Sequence, residues 1–516
     1  MQLTEKELVG LIQKEEKVHF EGKDASRGFP GDVWETYSSF ANTDGGVIVL
    51  GLKEVDHKLT IQGVKNSNKL IKEFWDAVNN REKVSANILF DRQVYPLTVD
   101  GKNLVVIEVP RAERQDRPVH IGDNVFSGCF RRNGEGDYNC PRESIESMIR
   151  DRGTETADGA LIEEKSIDDF NAETLKRYRE DFKYYHPHSA WIDLPTDEFL
   201  VKIGAARRSE HGKVCPTLAG MVCFADFMSI VDVVPNYFLD FRDRLADGGS
   251  RWQDRVYSGD PSWSGNIIDF YYRIHDKVTS AVKVPFKLDS RQRRIDNTDV
   301  HDAVREVVAN ALIHADYHGR RGIVIDKVFN RITVSNPGIL RISKDVAVEG
   351  GTSDPRNARI FNIFSLIDVG ERSGMGLNNL CSIFKREGFE APQMTEDWDP
   401  DRTKIVICTA SSEEIDKLSE RSRTKVAKPD QNPTDARPKS DQNPTKLLPD
   451  CLQNESSSVK RVFRAIMDDP KVTYRAMVSM LNLNKDTINE AVAILITKSV
   501  IRRVGNKRNG YWEVIK

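Results

Sequence analysis

Apolar side chains at Val300, Val304, Val307, Val308, Ala311 and Leu312 repeat with the period of a helix that buries one face. Asp302, Glu306, Asn310 and His314 step by four along a second, polar stripe of the same helix. Enclosing carboxylates and carboxamides costs free energy unless something pairs with them, so this stripe points to a metal, a water or a ligand beside it. Downstream, residues 323–334 form an apolar, β-rich run leading into the turn Asn336-Pro337-Gly338; a glycine-rich segment follows at 370–377, then Thr403 ahead of a strand over 404–408. Upstream, the pattern predicts a helix opened by a capping box at Thr4 and Glu7 and running to about residue 13. A short strand over 18–21, a helix over 32–42, a turn at 43–46 and a buried strand over 47–51 follow. Residues 172–182 and 196–205 read as helices, 216–224 as a buried strand or an apolar helix, and Trp252 and Trp263 as core. Near the end, Val459, Val462, Phe463, Ile466 and Met467 line one amphipathic helix, residues 474–480 suggest a second, and a third begins at Asn484; a hairpin over 501–515 closes the chain.

At 516 residues the chain has room for three or four domains, each with its own core. A net charge of −3 provides no global attraction to nucleic acid, yet the balance is uneven: the last 59 residues carry an excess of Lys and Arg, so the C-terminal part is basic and the remainder acidic. The seven cysteines are scattered without Cys-x-x-Cys spacing, which favours neither a zinc ribbon nor a disulfide framework and suits reduced thiols. His314 and His318 stand one helical turn apart, but the sequence offers no third zinc ligand near them. The charged start of the chain lacks an apolar leader and no run reaches the length of a membrane span, so the expectation is a soluble, cytoplasmic protein without membrane partners.

Helix with Glu306 and Asn310, strand, Asn-Pro-Gly turn, glycine-rich loop and late Thr403 together resemble the GHKL ATPases, which implies a Bergerat-type α/β sandwich over 291–411. By that resemblance the cofactors are ATP and Mg2+, with Mn2+ as an alternative ion. Glu306 orients or deprotonates the attacking water, Asn310 holds the cation, Asn336 and Gly338 meet the adenine, Gly374 and Gly376 wrap the phosphates, and Thr403 completes the nucleotide site. Asn336 replaces the usual adenine-contacting Asp, and an amide can still donate to and accept from adenine. The run Asn310 to Tyr317 is similar to the divergent box of a group of bacterial regulators in which Asn-Pro-Gly is usual. Nucleotide binding is expected; turnover is left open. GHKL proteins commonly close a lid or dimerise on binding nucleotide, which implies a homo-oligomer. A histidine kinase finds no support, since no His-bearing helix pair precedes the ATPase.

Phe20-Glu21-Gly22-Lys23, the turn Phe40 to Gly46, Gly51 to Glu54 and Phe130 to Gly134 resemble the Schlafen AlbA-like domain, over residues 1–150. That resemblance implies an α/β head that binds nucleic acid, DNA or structured RNA, with Lys23, Arg131 and Arg132 as contacts. It also implies an alternative, a metal-dependent endoribonuclease acting in stress or phage defence, whose acids would be Glu16, Glu21 and Glu54. Three carboxylates around Mg2+ or Mn2+ suit phosphodiester hydrolysis, because the cation lowers the pKa of water and neutralises the leaving oxygen. Residues 151–290 are expected to be a helical and mixed connector.

Residues 412–457 lose hydrophobic periodicity, gain Pro, Ser and Asn, and repeat Asp-Gln-Asn-Pro-Thr, as expected of a flexible tether. The three helices and hairpin of 458–516 resemble a winged helix-turn-helix. In that arrangement Lys485, Asn489 and Thr497 face the major groove, and Arg502, Arg503, Lys507 and Arg508 meet phosphates. The whole is an α+β multidomain chain whose reading is a nucleotide-controlled, nucleic-acid-binding regulator.

Overall fold

The computed structural model describes residues 2–13, 18–55, 58–244, 252–280, 282, 298–328, 330–350, 354–370 and 377–409, together with 457–468, 472, 477, 488, 491–492, 494–496, 500–504 and 511–514. Two units are present, Met1–Ala427 and Lys428–Lys516. The tether expected over 412–457 lies outside the described residues.

The first unit begins with α1 (Glu5–Gln13), opened as its sequence predicts: the Thr4 amide donates to the Glu7 carboxylate at 2.8 Å and the Glu7 amide to Thr4 Oγ1 at 3.3 Å. Then come β1 (Phe20–Lys23), α2 (Val33–Asn42), β2 (Gly46–Leu50), β3 (Leu52–Val55), β4 (Lys58–Ile61), α3 (Ser67–Val78), β5 (Val94–Val99) and β6 (Lys102–Val109). The short helix α4 (Val125–Gly128), the hairpin β7 (Phe130–Asn133) and β8 (Gly136–Asn139), and α5 (Arg142–Arg152) complete the head. A four-stranded sheet in the order β1-β2-β6-β5 is its centre, with β1 parallel to β2. Strand β1 starts two residues later than its alternation suggests, because the parallel ladder pairs Phe20 with Val47 and runs through Gly22 and Lys23 to Leu50. Tyr37 and Phe40 of α2 and Leu70, Phe74 and Val78 of α3 cover one face over Ile48, Leu50, Val105 and Ile107. Leu8 of α1 covers the other over Phe20, Val49 and Val106.

The chain continues through α6 (Ala172–Tyr185), α7 (Thr196–Ile203), β9 (Ala206–Arg208), β10 (Val214–Pro216), α8 (Leu218–Phe224), α9 (Phe227–Val233), β11 (Leu239–Arg244), β12 (Trp252–Tyr257) and α10 (Ile267–Thr279). It then forms α11 (Asp299–His314), β13 (Ile323–Val328), β14 (Arg331–Pro337), α12 (Lys344–Glu349), α13 (Ala358–Ser365), α14 (Leu377–Arg386), β15 (Gln393–Trp398) and β16 (Asp401–Cys408). Of the two readings left open for 216–224, the helix is the one formed: Thr217 caps α8 by accepting from the Gly220 amide at 3.1 Å, and all seven residues are buried.

A six-stranded sheet in the order β12-β11-β13-β14-β16-β15 organises this part. Strand β11 runs parallel to β13, and the other neighbours are antiparallel. The segment 151–290 is therefore no separate connector, since it supplies β11 and β12, two strands of the sheet that also holds β13 to β16. One continuous core joins Ile162, Phe199 and Phe241 to Val307, Ile332 and Ile407. Charged alternation in β11 and β12 hides them from a hydrophobicity reading, because Asp240 is buried between Arg242 and Arg255, and Arg244 meets Asp326 at 3.0 Å. Trp263 stacks on Phe270, but Trp252, expected in the core, is 47% exposed beside Arg255.

In the second unit, α15 (Ser457–Asp468) and an antiparallel pair, β17 (Ile501–Val504) with β18 (Tyr511–Val514), enclose a small core. Val459, Val462, Phe463 and Ile466 meet Ile488, Ala491, Val492, Leu495 and Trp512 in it. The apolar positions of the first and third expected helices are thus buried together.

Candidate functional site

Helix α11 displays Glu306 and Asn310 one turn apart, and Asn310 Nδ2 donates to Glu306 Oε1 at 3.1 Å. Both are half-buried and line a cavity between α11 and the large sheet, where they meet His314 from the next turn. The fourth member of the expected stripe, Asp302, is exposed and paired with Arg305 at 2.9 Å, outside this lining. Across the cavity, β14 contributes Asn336 and β16 contributes Thr403, which stand opposite one another in the antiparallel register. Thr403 was expected just ahead of its strand; it lies inside β16, whose ladder extends back to Asp401. Its hydroxyl donates to the Gly338 carbonyl at 2.8 Å. Gly338 has φ +93°, and a Cβ there would sit 2.4 Å from Arg356 Nη1, so this turn admits glycine on both counts. Val334, Ile339, Met394, Ile405, Phe361 and Leu380 give the cavity apolar walls. Gly374 and Gly376 lie outside the described residues.

The cavity also holds charged groups that the sequence did not single out: Arg341, Asp354 and Arg356. Arg356 donates to both oxygens of Asp151 at 2.9 and 2.8 Å, to the His314 carbonyl at 2.6 Å and to the Ile339 carbonyl at 2.7 Å. Burial first, and then the guanidinium groups of Arg356 and Arg341, push the His314 imidazole down to about 4, so it enters the site neutral. No local pattern marks Arg356, because its carboxylate partner stands 205 positions earlier, in α5.

Helix α5 makes further contacts of this kind. Ser147 and Arg150 donate to Asp316 at 2.9 and 2.8 Å, and Glu143 meets Arg320 at 2.5 Å. Burial pushes the Asp401 carboxyl up to about 6, against the pull of Ser144 and Arg131. The native state therefore binds this proton more readily than the unfolded chain. Any stability this gives is complete below the ordinary value of 3.8 and is lost as pH rises through about 6. Asp401→Asn is expected to be neutral near pH 4 and to stabilise by up to about 3 kcal/mol at pH 8. Urea midpoints of both proteins at the two pH values check this, and an equal offset at both would refute it.

In the head, Glu21 joins no cluster of acids among the described residues. Its carboxylate meets Lys23 at 3.1 Å and Arg132 at 2.9 Å. Glu54 lies exposed on β3, Glu16 is outside the described residues, and among the described residues no group of three His, Cys, Asp or Glu side chains could hold a metal ion. Arg132, expected to contact nucleic acid, is instead buried: it donates to Glu21, to Asp137 at 2.9 Å and to the Val18 carbonyl at 3.0 Å. Arg131 is likewise turned inward, toward the Trp398 carbonyl and Asp401. Sequence displays these cations but not the distant groups that neutralise them. Burial opposes the charge of Lys23, yet Asp32 and Glu21 hold its ammonium above the usual lysine value. In the second unit Arg502 is exposed on β17 and Arg503 follows it on the same strand. Lys485, Asn489, Thr497, Lys507 and Arg508 lie outside the described residues.

Three family models match separate stretches of the chain. "Schlafen, AlbA_2" matches residues 12–141, "Domain of unknown function (DUF8451)" matches 146–240, and "Putative ATP-dependent DNA helicase recG C-terminal" (HATPase_c_4) matches 321–406. A Schlafen AlbA_2 domain and a HATPase_c_4 domain are thus present. No curated protein matches the chain. Among solved structures, the DIP2311 protein from Corynebacterium diphtheriae is 14% identical, covers 98% of each chain and has a TM-score of 0.37. The N-terminal domain of a RecG-related protein from Nitrosomonas europaea is 23% identical over 27% of this chain and 95% of its own, with a TM-score of 0.22. Among the described residues no helix is long and apolar enough to cross a membrane.

Proposed function

We propose that this chain, with its Schlafen AlbA_2 and HATPase_c_4 domains, is a nucleic-acid-binding regulator controlled by ATP. The observation that carries the reading is the convergence of Glu306, Asn310, Asn336 and Thr403, from three elements, on one apolar-walled cavity. The donor set suits the cofactor. A carboxylate and an amide oxygen on one helix face are hard ligands of the kind Mg2+ takes, and Asn336 and Thr403 supply both donors and acceptors for a base edge. Bound with the nucleotide, the cation would offset phosphate charge. Asn310 would help hold it, Glu306 would orient water and accept its proton, and neutral His314 would add no charge to the site. In this reading the fold around the cavity is of the GHKL type, the basic second unit is a winged helix, and the head and that module are the nucleic-acid surfaces. Cleavage by the head is not part of it, since the Glu21 carboxylate is already neutralised by Lys23 and Arg132.

Calorimetry of the full chain with a non-hydrolysable ATP analogue, with and without magnesium, tests the reading. Gel shifts with an RNA hairpin and with duplex DNA test its second half. If ATP is turned over, Glu306→Gln is expected to slow release of phosphate by about 10²- to 10⁴-fold while leaving the analogue's affinity nearly unchanged. Absence of magnesium-dependent binding in the wild type would remove the proposal.

A further inference from the structure

Beyond β14 the cavity wall leaves the sheet, and its backbone is held in an unusual way. Three successive carbonyls there accept from arginine side chains. Ile339 takes Arg356 at 2.7 Å, Leu340 takes Arg111 at 2.8 Å and Arg117 at 3.3 Å, and Arg341 takes Arg117 at 3.1 Å. Arg111 and Arg117 belong to the head, in the segment that follows β6. Arg111 also grips both oxygens of Glu396 on β15, at 2.6 and 3.0 Å, while Glu396 Oε1 accepts the Leu340 amide at 2.6 Å. Arg111, Glu396 and the Leu340 backbone thus close a ring in which the two side chains are only 5% and 4% exposed. A third head residue, Arg114, donates to Asp354 at 2.6 Å, and Asp354 lines the same cavity with Leu340 and Arg341.

A surface ion pair would contribute little and could be lost without consequence for the cavity. These groups are different because they satisfy the backbone of the lining residues themselves, in a water-poor boundary where an abandoned carbonyl or amide is costly. Arg117 is 3% exposed, and its Nε and Nη1 have no hydrogen-bond partner among the described residues. Such a buried charge is an expensive element to retain for adhesion alone.

We infer that Arg111, Arg114 and Arg117 of the head are positioning residues for the nucleotide cavity, so that its Leu340–Arg341 wall keeps its binding shape only while the head holds it. The inference rests on the nucleotide reading above and adds to it a route by which the head and the cavity sense one another. No arginine of this loop need touch the nucleotide. The coupling is reciprocal by necessity: whatever shifts the loop on the head changes nucleotide affinity, and nucleotide changes the loop in return.

The test uses the full chain and a non-hydrolysable ATP analogue with magnesium. Arg111→Gln and Glu396→Gln are each expected to weaken the analogue about tenfold, and the double variant no more than either alone, because the two act as one support. Arg114→Gln, which leaves Asp354 with Arg341 at 3.5 Å but without its head partner, is an independent variant should Arg111→Gln fail to fold. Glu143→Gln is the control, since it breaks an ion pair with Arg320 on the same boundary but touches no cavity residue. Unchanged affinity in the Arg111, Arg114 and Glu396 variants of a wild type that binds would overturn the inference and leave the nucleotide reading standing. Equal weakening by Glu143→Gln would overturn it in favour of general stability. A wild type that binds no analogue removes the nucleotide reading and the inference with it.

Discussion

Asn310→Ala is expected to weaken magnesium-dependent nucleotide binding on the order of 100-fold, the upper range for disturbing groups around a protein-held metal. The amide nitrogen of Asn310 is engaged by Glu306, which leaves its oxygen as the atom suited to a hard cation. Alanine removes that oxygen and also releases the Glu306 carboxylate from the geometry in which the helix holds it. Calorimetry in magnesium and in a chelator separates the two effects. Wild type in chelator and the variant in magnesium should bind with similar affinity, and the variant should no longer respond to chelator. A variant that keeps its magnesium response would show that the cation, if bound, is held elsewhere.

The second large effect concerns stability. Arg356→Ala is expected to destabilise the first unit by about 3–5 kcal/mol, because it leaves the Asp151 carboxylate without its bidentate partner in a boundary where that side chain is 12% exposed. The His314 and Ile339 carbonyls lose their donor in the same step. Replacing the pair together, as Asp151→Leu with Arg356→Met, should recover a large part of the loss, since no buried charge is then left alone. Denaturant unfolding of the three proteins decides the matter. A double variant as unstable as the sum of the singles would mean that the carbonyl contacts, not the ion pair, dominate.

Half of the cavity lining was legible because its signals are local. Glu306 and Asn310 announce themselves as polar positions on an otherwise apolar helix, and Asn336 and Thr403 follow from a turn and a strand next to it. The structure brings these four into one lining, whereas Asp302, on the same stripe, turns out to solvent. The other half of the cavity was not legible. Arg341, Asp354 and Arg356 look like ordinary surface charges until their partners are known, and the carboxylate that meets Arg111 is 285 positions away. Strands β11 and β12 were missed for a related reason. Their sequences, Leu-Asp-Phe-Arg-Asp-Arg and Trp-Gln-Asp-Arg-Val-Tyr, carry charges that pair across the ladder and with Asp326, so burial of alternate residues is masked by ion pairs. In the head, the same blindness made Arg131 and Arg132 look available when both are engaged by groups of the protein itself.

That separation has a consequence for the order of assembly on the ribosome. The head contains its own sheet and core within the first third of the chain, so it can fold as soon as it emerges. At ordinary elongation rates Glu396 follows Arg111 by roughly 15–60 s. Throughout that interval the guanidinium groups of the head loop have no Leu340, Glu396 or Asp354 to meet; Arg111 can rest on Asp44 of the head, and the donors left over stay hydrated. A nascent surface rich in solvated arginine resists premature apolar contact, and it docks only when its last carboxylate has been made.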